Sequence, residues 1–304
     1  MQLLERVDPD AIRALHERDE FFWLDLYDPG NEALDTLAEL IEIPALAVED
    51  TKEFGQRPKV DDYGQRVLVV FYGADGDAPI EVHVHLSGRE VVTVRRGHCA
   101  HLGEAHQRVR DERVRTEEDL VYRILDALAD SIRALVDRRG VEVQSLEDRA
   151  FERPTNDERR RMSELRSELF RLQQVIVPQR DMLDRGFEVL ECIPGLEREA
   201  ARHPFRDVHD DLVLTANEID YNREVLAESL NVLINQMAGR LTIVATIFLP
   251  LTFATGFFGM NFGWLVNHID SLEAFLVFGV GGMVMPIVIA AILLVRAGYF
   301  GRQR

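Results

Sequence analysis

The sequence predicts an α+β cytosolic domain followed by long stalk helices and two transmembrane helices, and three observations carry that prediction. Short β-rich runs divided by Gly, Asp and Pro fill the first hundred residues. From Thr116 the apolar residues switch to a helical period. The last 64 of the 304 residues then hold two uncharged runs, each long enough to cross a bilayer.

Composition supports a large globular body. With 46% hydrophobic and 29% charged residues, the chain is too apolar for a disordered tail and too long for a small disulfide scaffold. A net charge of −18 argues against nucleic-acid partners and against a polybasic membrane-surface protein, since both need a cationic footprint. Cys99 and Cys192 lie far apart without C-x-x-C spacing, so neither a zinc ribbon nor a disulfide framework is expected. The first twenty residues lack an apolar stretch before a small-residue cleavage site, so no secretory signal is expected.

In residues 1–115, an α/β domain, the strand-like runs are FFWLDLY (21–27), RVLVVFYG (66–73), IEVHVHLSG (80–88) and REVVTVRR (89–96). Ser87-Gly88 marks a tight hairpin turn between the last two. Residues 116–195 read as a long helical hairpin. Thr116 and Asp119 cap the first helix, whose apolar face runs Leu120, Ile124, Leu128, Ile132, Leu135, Val143, Leu146, Ala150. Pro154 ends it, and Thr155 or Asn156 caps a second helix carrying Met162, Leu165, Leu169, Leu172, Ile176 and Leu183, with a kink at Pro178 and a closing Ile193-Pro194-Gly195 turn.

Residues 196–240 form a stalk helix with no breaker before the membrane. Leu212, Ile219, Leu226 and Leu233 recur every seven residues, interleaved with Val208, Thr215, Asn222 and Ser229. Two readings stand: helices of several subunits around a hydrated axis, or packing against the preceding two helices.

The first transmembrane helix covers 241–258 and the second 274–295, joined by an extracytoplasmic loop at 259–273 and followed by a basic cytoplasmic tail at 296–304. Residues 241–304 hold only Asp270 and Glu273 of the chain's 53 acidic residues and Arg296, Arg302 and Arg304 of its 35 basic ones, so the preceding part carries a net charge of −19. Arg240 before the first span and the arginines after the second put both termini in the cytoplasm, as a multi-pass protein of the cell (cytoplasmic) membrane.

Leading into and along the first span, Asn235, Ala238, Leu241, Ala245, Leu249, Thr252 and Gly256 follow at intervals of three or four and share one helical face. Such a stripe fits close helix packing or a water-lined path. Pro250 deprives the Thr246 carbonyl of its helical donor, which a membrane tolerates only where protein or water covers it. No P-loop, G-x-S-x-G or dinucleotide fingerprint is present, so neither an enzyme nor coupling to ATP is expected.

Gly259-Met260-Asn261 follows this span directly, and here the sequence resembles the CorA-type metal ion transporters, whose hallmark is Gly-Met-Asn between two C-terminal spans. LTIVATIFLPLTFATGFFGMNF resembles the family's first span, EDTKEFGQRPKVDDYG (49–64) its N-terminal signature and FRDVHDD (205–211) its stalk segment. The resemblance implies a CorA-like homopentamer that carries divalent cations, Mg²⁺ first with Co²⁺ and Ni²⁺, with no cofactor beyond Mg²⁺ as substrate and regulatory ligand. It implies a selectivity filter of Gly259, Met260 and Asn261, with Asn261 meeting the hydrated ion. It further implies a pore lined by Asn235, Leu241, Ala245, Leu249, Thr252 and Gly256, gated at Leu241 and Leu249 because Ala238 is small.

The loop WLVNHIDSLE departs from the family's proline- and glutamate-bearing pattern and leaves Asp270 and Glu273 to attract cations. The resemblance also implies that Asp207, which matches the family's stalk aspartate, is a regulatory metal ligand, with Asp210 and Asp211 beside it. His83, His85, His98, Cys99, His101 and His106 fit no standard zinc spacing. IVPQRDM (176–182) resembles the proton-coupled zinc branch of the family, the ZntB type, which stands as an alternative; a membrane-anchored, non-conducting sensor or scaffold is the other.

Overall fold

A computed structural model describes residues 1–111, 113–114, 116–150, 154–190, 202–260, 263 and 271–296. They divide into two compact units, residues 1–228 and 229–304.

The first unit is built on a six-stranded sheet: β1 (Gln2–Leu4), β2 (Phe22–Tyr27), β3 (Lys59–Asp62), β4 (Val67–Asp75), β5 (Ala78–Leu86) and β6 (Glu90–Arg95), in spatial order β1-β2-β6-β5-β4-β3. β1, β2 and β6 run parallel, and β6, β5, β4 and β3 are antiparallel neighbours. The four expected strands form where the alternating runs place them. β6 is buried at every position, which requires a layer on each face of the sheet. The β5–β6 hairpin closes with Leu86 opposite Val91 and Gly88 at φ +83°, so the left-handed residue is the one the turn needs.

One face is covered by α1 (Pro9–Glu17), α2 (Asn31–Leu40) and α3 (Ala45–Lys52). Their apolar residues Ile12, Leu15, Leu34 and Leu37 meet Leu24, Val92 and Val94 of the sheet. The other face receives α4 (Leu102–Arg110) and the long helices α5 (Glu117–Ala150) and α6 (Asn156–Leu190). Thr116 accepts the Asp119 amide at 3.2 Å, the expected cap, and all eight residues of the α5 stripe are buried. Thr155 and Glu158 form a reciprocal capping box at 3.2 and 2.8 Å. Pro178 sits inside α6, while the 193–195 turn and Cys192 lie outside the described residues.

Two contacts fix α5 and α6 against β4. β3 covers only Val67–Val70 of β4, and beyond it the buried side chain of Gln179 takes the strand's place, accepting the Tyr72 amide at 2.7 Å and donating to its carbonyl at 3.2 Å. Gly73 lets α5 approach: a Cβ there would lie 2.6 Å from Leu128 and 3.0 Å from the Ser131 hydroxyl, which accepts the Ala74 amide. Gly73→Val should therefore lower stability by about 1–3 kcal/mol through overpacking, read as a fall in the denaturant midpoint.

α7 (Arg202–Phe258) ends the first unit and begins the second without a break. Val208, Leu212, Thr215, Ile219, Asn222 and Leu226 are buried within a single protomer, and Asn222 lies against Gly140 of α5. Here the heptad seam is intramolecular packing, and the hydrated-axis reading fails at these positions. Of the polar members, Thr215 donates to the Asp211 carbonyl at 2.7 Å.

In the second unit α7 continues to Phe258. A second helical stretch starts at Leu272, two residues earlier than expected, as α8 (Leu272–Ala274), a π-helical segment (Phe275–Val280) and α9 (Gly281–Arg296). Both helices are long and apolar enough to cross a membrane. Leu241, Leu249 and Phe253 are 71–76% exposed, far more apolar surface than a monomeric soluble protein leaves bare.

Candidate functional site

Asn235, Leu241, Ala245, Leu249, Thr252 and Gly256 all lie in α7 with helical geometry, and every one of them is exposed. The stripe is therefore unfilled by the protomer's own side chains. The hydroxyls of Thr242, Thr246, Thr252 and Thr255 each donate to the carbonyl four residues back, at 2.7–3.0 Å. Their oxygens keep acceptor capacity while their protons serve the backbone. Pro250 lies inside the helix, four residues after Thr246.

The helix ends at a position only glycine fits. The Gly259 amide still donates to the Thr255 carbonyl at 2.9 Å, and Met260 donates to the Phe257 carbonyl at 3.3 Å, tightening the last turn. A Cβ on residue 259 would stand 2.9 Å from the Thr255 oxygen. Met260 is half exposed. Asn261 and Asp270 lie outside the described residues. Glu273 is exposed in α8, whose N-terminus is capped by Ser271 accepting the Ala274 amide at 3.1 Å.

On the first unit Asp207 is exposed on α7, and its charge acts on two α5 groups and one of its own helix. Burial first, then the charges of Asp130, Asp207 and Asp211, raise Asp126 to about 6. Burial also raises Asp211, which Arg133 opposes from 2.9 Å and Asp207, Asp130 and Asp210 reinforce. Tyr122 is raised chiefly by burial, with Asp126 and Asp207 adding to it. Among the described residues of one protomer, however, no three such side chains are arranged to hold a metal ion. The sequence reading missed Asp126 and Asp130; their one-turn spacing within LVYRILDALAD was the available signal.

The histidines go to separate partners. His83 Nε2 is 2.6 Å from Glu81 and its ring stacks on Phe54 at 4.6 Å. His85 contacts the Thr51 hydroxyl at 2.8 Å, and burial holds its pKa well below the usual imidazole value. His106 Nε2 lies 2.9 Å from Asp25. His98 is exposed and Cys99 buried, so with His101 they do not join the others in a metal centre.

The QRPK signature serves the fold. Gln56 donates to the carbonyls of Asp50 and Glu53 at 2.5 and 2.8 Å, and the amides of Gly55 and Gln56 bond to Glu81. Lys59 pairs with both Asp50 and Asp61 at 2.6 Å, and its hydrogen bond is the largest cause holding the Asp50 carboxyl low.

Comparison with known proteins matches residues 18–296 to the family described as CorA-like Mg2+ transporter protein. The cobalt/magnesium transport protein CorA of Thermotoga maritima is 27% identical over 254 residues, covering 77% of this chain and 71% of that one. The zinc transport protein ZntB of Yersinia enterocolitica is 23% identical over 282 residues, covering 87% of this chain and 83% of that one. The solved structure of the CorA magnesium transporter from Methanocaldococcus jannaschii superposes with a TM-score of 0.66 at 22% identity, covering 91% of this chain and 90% of that one.

Proposed function

The chain belongs to the CorA-like Mg2+ transporter family, and on that premise we propose that it is a homopentameric channel for divalent metal cations, Mg²⁺ first, with Co²⁺ and Ni²⁺ also carried. The observation that carries the reading is the exposed stripe of α7, which ends at the glycine-only exit of Gly259. Five copies of that stripe around an axis line a path with Asn235 at the inner mouth, the apolar rings of Leu241 and Leu249 as gates, and Thr252 as a hydroxyl ring. Mg²⁺ sheds its waters reluctantly, so neutral oxygens of Asn261 and the Gly259 carbonyl suit a hydrated ion better than carboxylates do. Asp270 and Glu273 raise the local cation concentration outside. Both termini are cytoplasmic, and membrane potential drives entry.

Uptake into liposomes containing the purified protein tests this, comparing Mg²⁺, Co²⁺, Ni²⁺ and Zn²⁺ with and without a pH gradient. Mg²⁺ entry independent of the gradient supports the channel. Zinc entry driven by protons supports the second reading, favoured by the two ZntB relatives that cover 86% and 87% of the chain. Absence of flux from an intact oligomer leaves a non-conducting sensor.

For regulation, Asp207 is a divalent-ion ligand completed by a neighbouring subunit, with Asp126, Asp130 and Asp211 supplying the field. Ion binding there favours the closed state by differential affinity. Asp207→Asn should raise the Mg²⁺ concentration needed for half-maximal thermal stabilisation by about tenfold, or about 1.4 kcal/mol. An unchanged concentration dependence removes Asp207 from the site.

A further inference from the structure

At one end of the sheet three connections converge: the α2–α3 link, the β3–β4 loop and the β5–β6 turn. Between them lies a cleft of about 830 Å³, within the range of small-molecule sites. Leu40, Ile41, Pro44 and Val67 make an apolar side, while His16, Gln65, Arg66 and Arg89 supply polar groups.

Arg66 is the informative residue. It is 5% exposed, and its Nη2 donates to Glu90 at 2.5 Å and to the Ile41 carbonyl at 2.9 Å. Its Nη1 is buried without a hydrogen-bond partner. A buried guanidinium nitrogen facing no acceptor is costly, and such donors in folded proteins are normally met by protein, water or ligand. Arg89, on the same lining, is exposed and has no ion pair among the described residues. The carboxylates nearby do not fill this role. Glu90 is already met by Arg66, by the Ser87 hydroxyl at 2.8 Å and by His16 at 3.2 Å, and Glu42 is exposed at the rim.

The geometry points to a binding site for a small organic anion, a carboxylate or phosphate monoester on an apolar body, held by Arg66 Nη1 and Arg89 with its body against Leu40, Ile41, Pro44 and Val67. Guanidinium groups suit carboxylate and phosphate oxygens. A divalent cation does not fit, because the inner donor is itself cationic. The acidic body repels anions at a distance, so these contacts must supply the recognition. This site is separate from the ion path, and its test does not depend on transport.

Titration calorimetry of the full-length protein in detergent with phenyl phosphate and with benzoate is the experiment, with inorganic phosphate as comparison. We expect saturable binding of at least one aromatic anion, weakened at least tenfold by Arg89→Ala without change in melting temperature. The double variant Arg66→Met/Glu90→Met removes the buried pair together and should abolish binding; if it does not fold, Arg89→Ala decides alone. No binding of either aromatic anion, undiminished binding by Arg89→Ala, or equal affinity for inorganic phosphate overturns the assignment.

Discussion

Asn261→Ala is expected to reduce Mg²⁺ uptake into proteoliposomes to the level of protein-free vesicles while leaving the oligomer intact. The argument rests on what a hydrated ion requires. Stripping Mg²⁺ of water is slow, so a filter must replace outer-shell hydrogen bonds rather than inner-shell ligands, and neutral amide oxygens do so without trapping the ion. One hydrogen bond to a charged partner contributes about 1.5–3 kcal/mol, and each 1.4 kcal/mol is tenfold, so losing one from every subunit removes several orders of magnitude. Assembly should survive, because the Gly259 and Met260 amides close the helix exit on the carbonyls of Thr255 and Phe257. Gly259→Ala differs in kind: its Cβ meets the Thr255 carbonyl at 2.9 Å, so both conduction and the end of α7 should suffer. Undiminished uptake by Asn261→Ala would move the selective step away from this motif.

What was legible in the sequence tracks how local the cause is. Thr116 with Asp119 acts over three residues and is found as read, and of the two caps offered for the second helix Thr155 is the one that forms, in a box with Glu158. The α5 stripe and the two apolar runs are sustained patterns, and the helices follow them. β1 and β3 escaped notice because three or four residues carry too little periodicity. The heptad seam of α7 was ambiguous since the same spacing serves a partner subunit or the protomer's own helices; the burial of Ile219 and Asn222 decides for the latter. Site residues divide the same way. The α7 stripe is readable along one helix, whereas the gathering of Asp126 and Asp130 toward Asp207, or of His16 and Arg66 around Glu90, joins residues far apart in the chain.

The largest stability effect is expected at Asp25. This carboxylate is 3% exposed on β2, in register with Thr93 of β6. It accepts from the Thr93 hydroxyl at 2.6 Å and from Arg95 at 2.8 and 3.2 Å, and His106 lies at 2.9 Å. Burial alone would raise its pKa, but His106, Arg95 and Thr93 outweigh it and bring it from 3.8 down to about 2. Asp25→Ala leaves the Arg95 guanidinium buried without its counter-charge, which costs about 3–5 kcal/mol, a large share of a typical domain's stability. Asp25→Asn keeps the shape and should cost less.

The pH dependence separates this from simple loss of packing. A depressed carboxylate stabilises above its unfolded pKa of 3.8, and that contribution, about 2 kcal/mol, disappears as pH falls toward 2. His85 acts elsewhere: its lowered pKa means stability falls as pH drops below 6.5, when the unfolded imidazole takes up a proton. Glu117, buried and raised to about 7, works in the opposite sense, losing its contribution as pH rises from 4.5 through 7. The steepening below pH 4 should therefore be smaller in Asp25→Ala than in the parent, while the behaviour between 4.5 and 7 is shared. Trp23 reports it directly, since its indole donates to Thr93 at 3.0 Å within the same network. Equal acid steepening in both proteins, read from Trp23 fluorescence during urea unfolding, would show that the Asp25 cluster is not what holds the sheet at low pH.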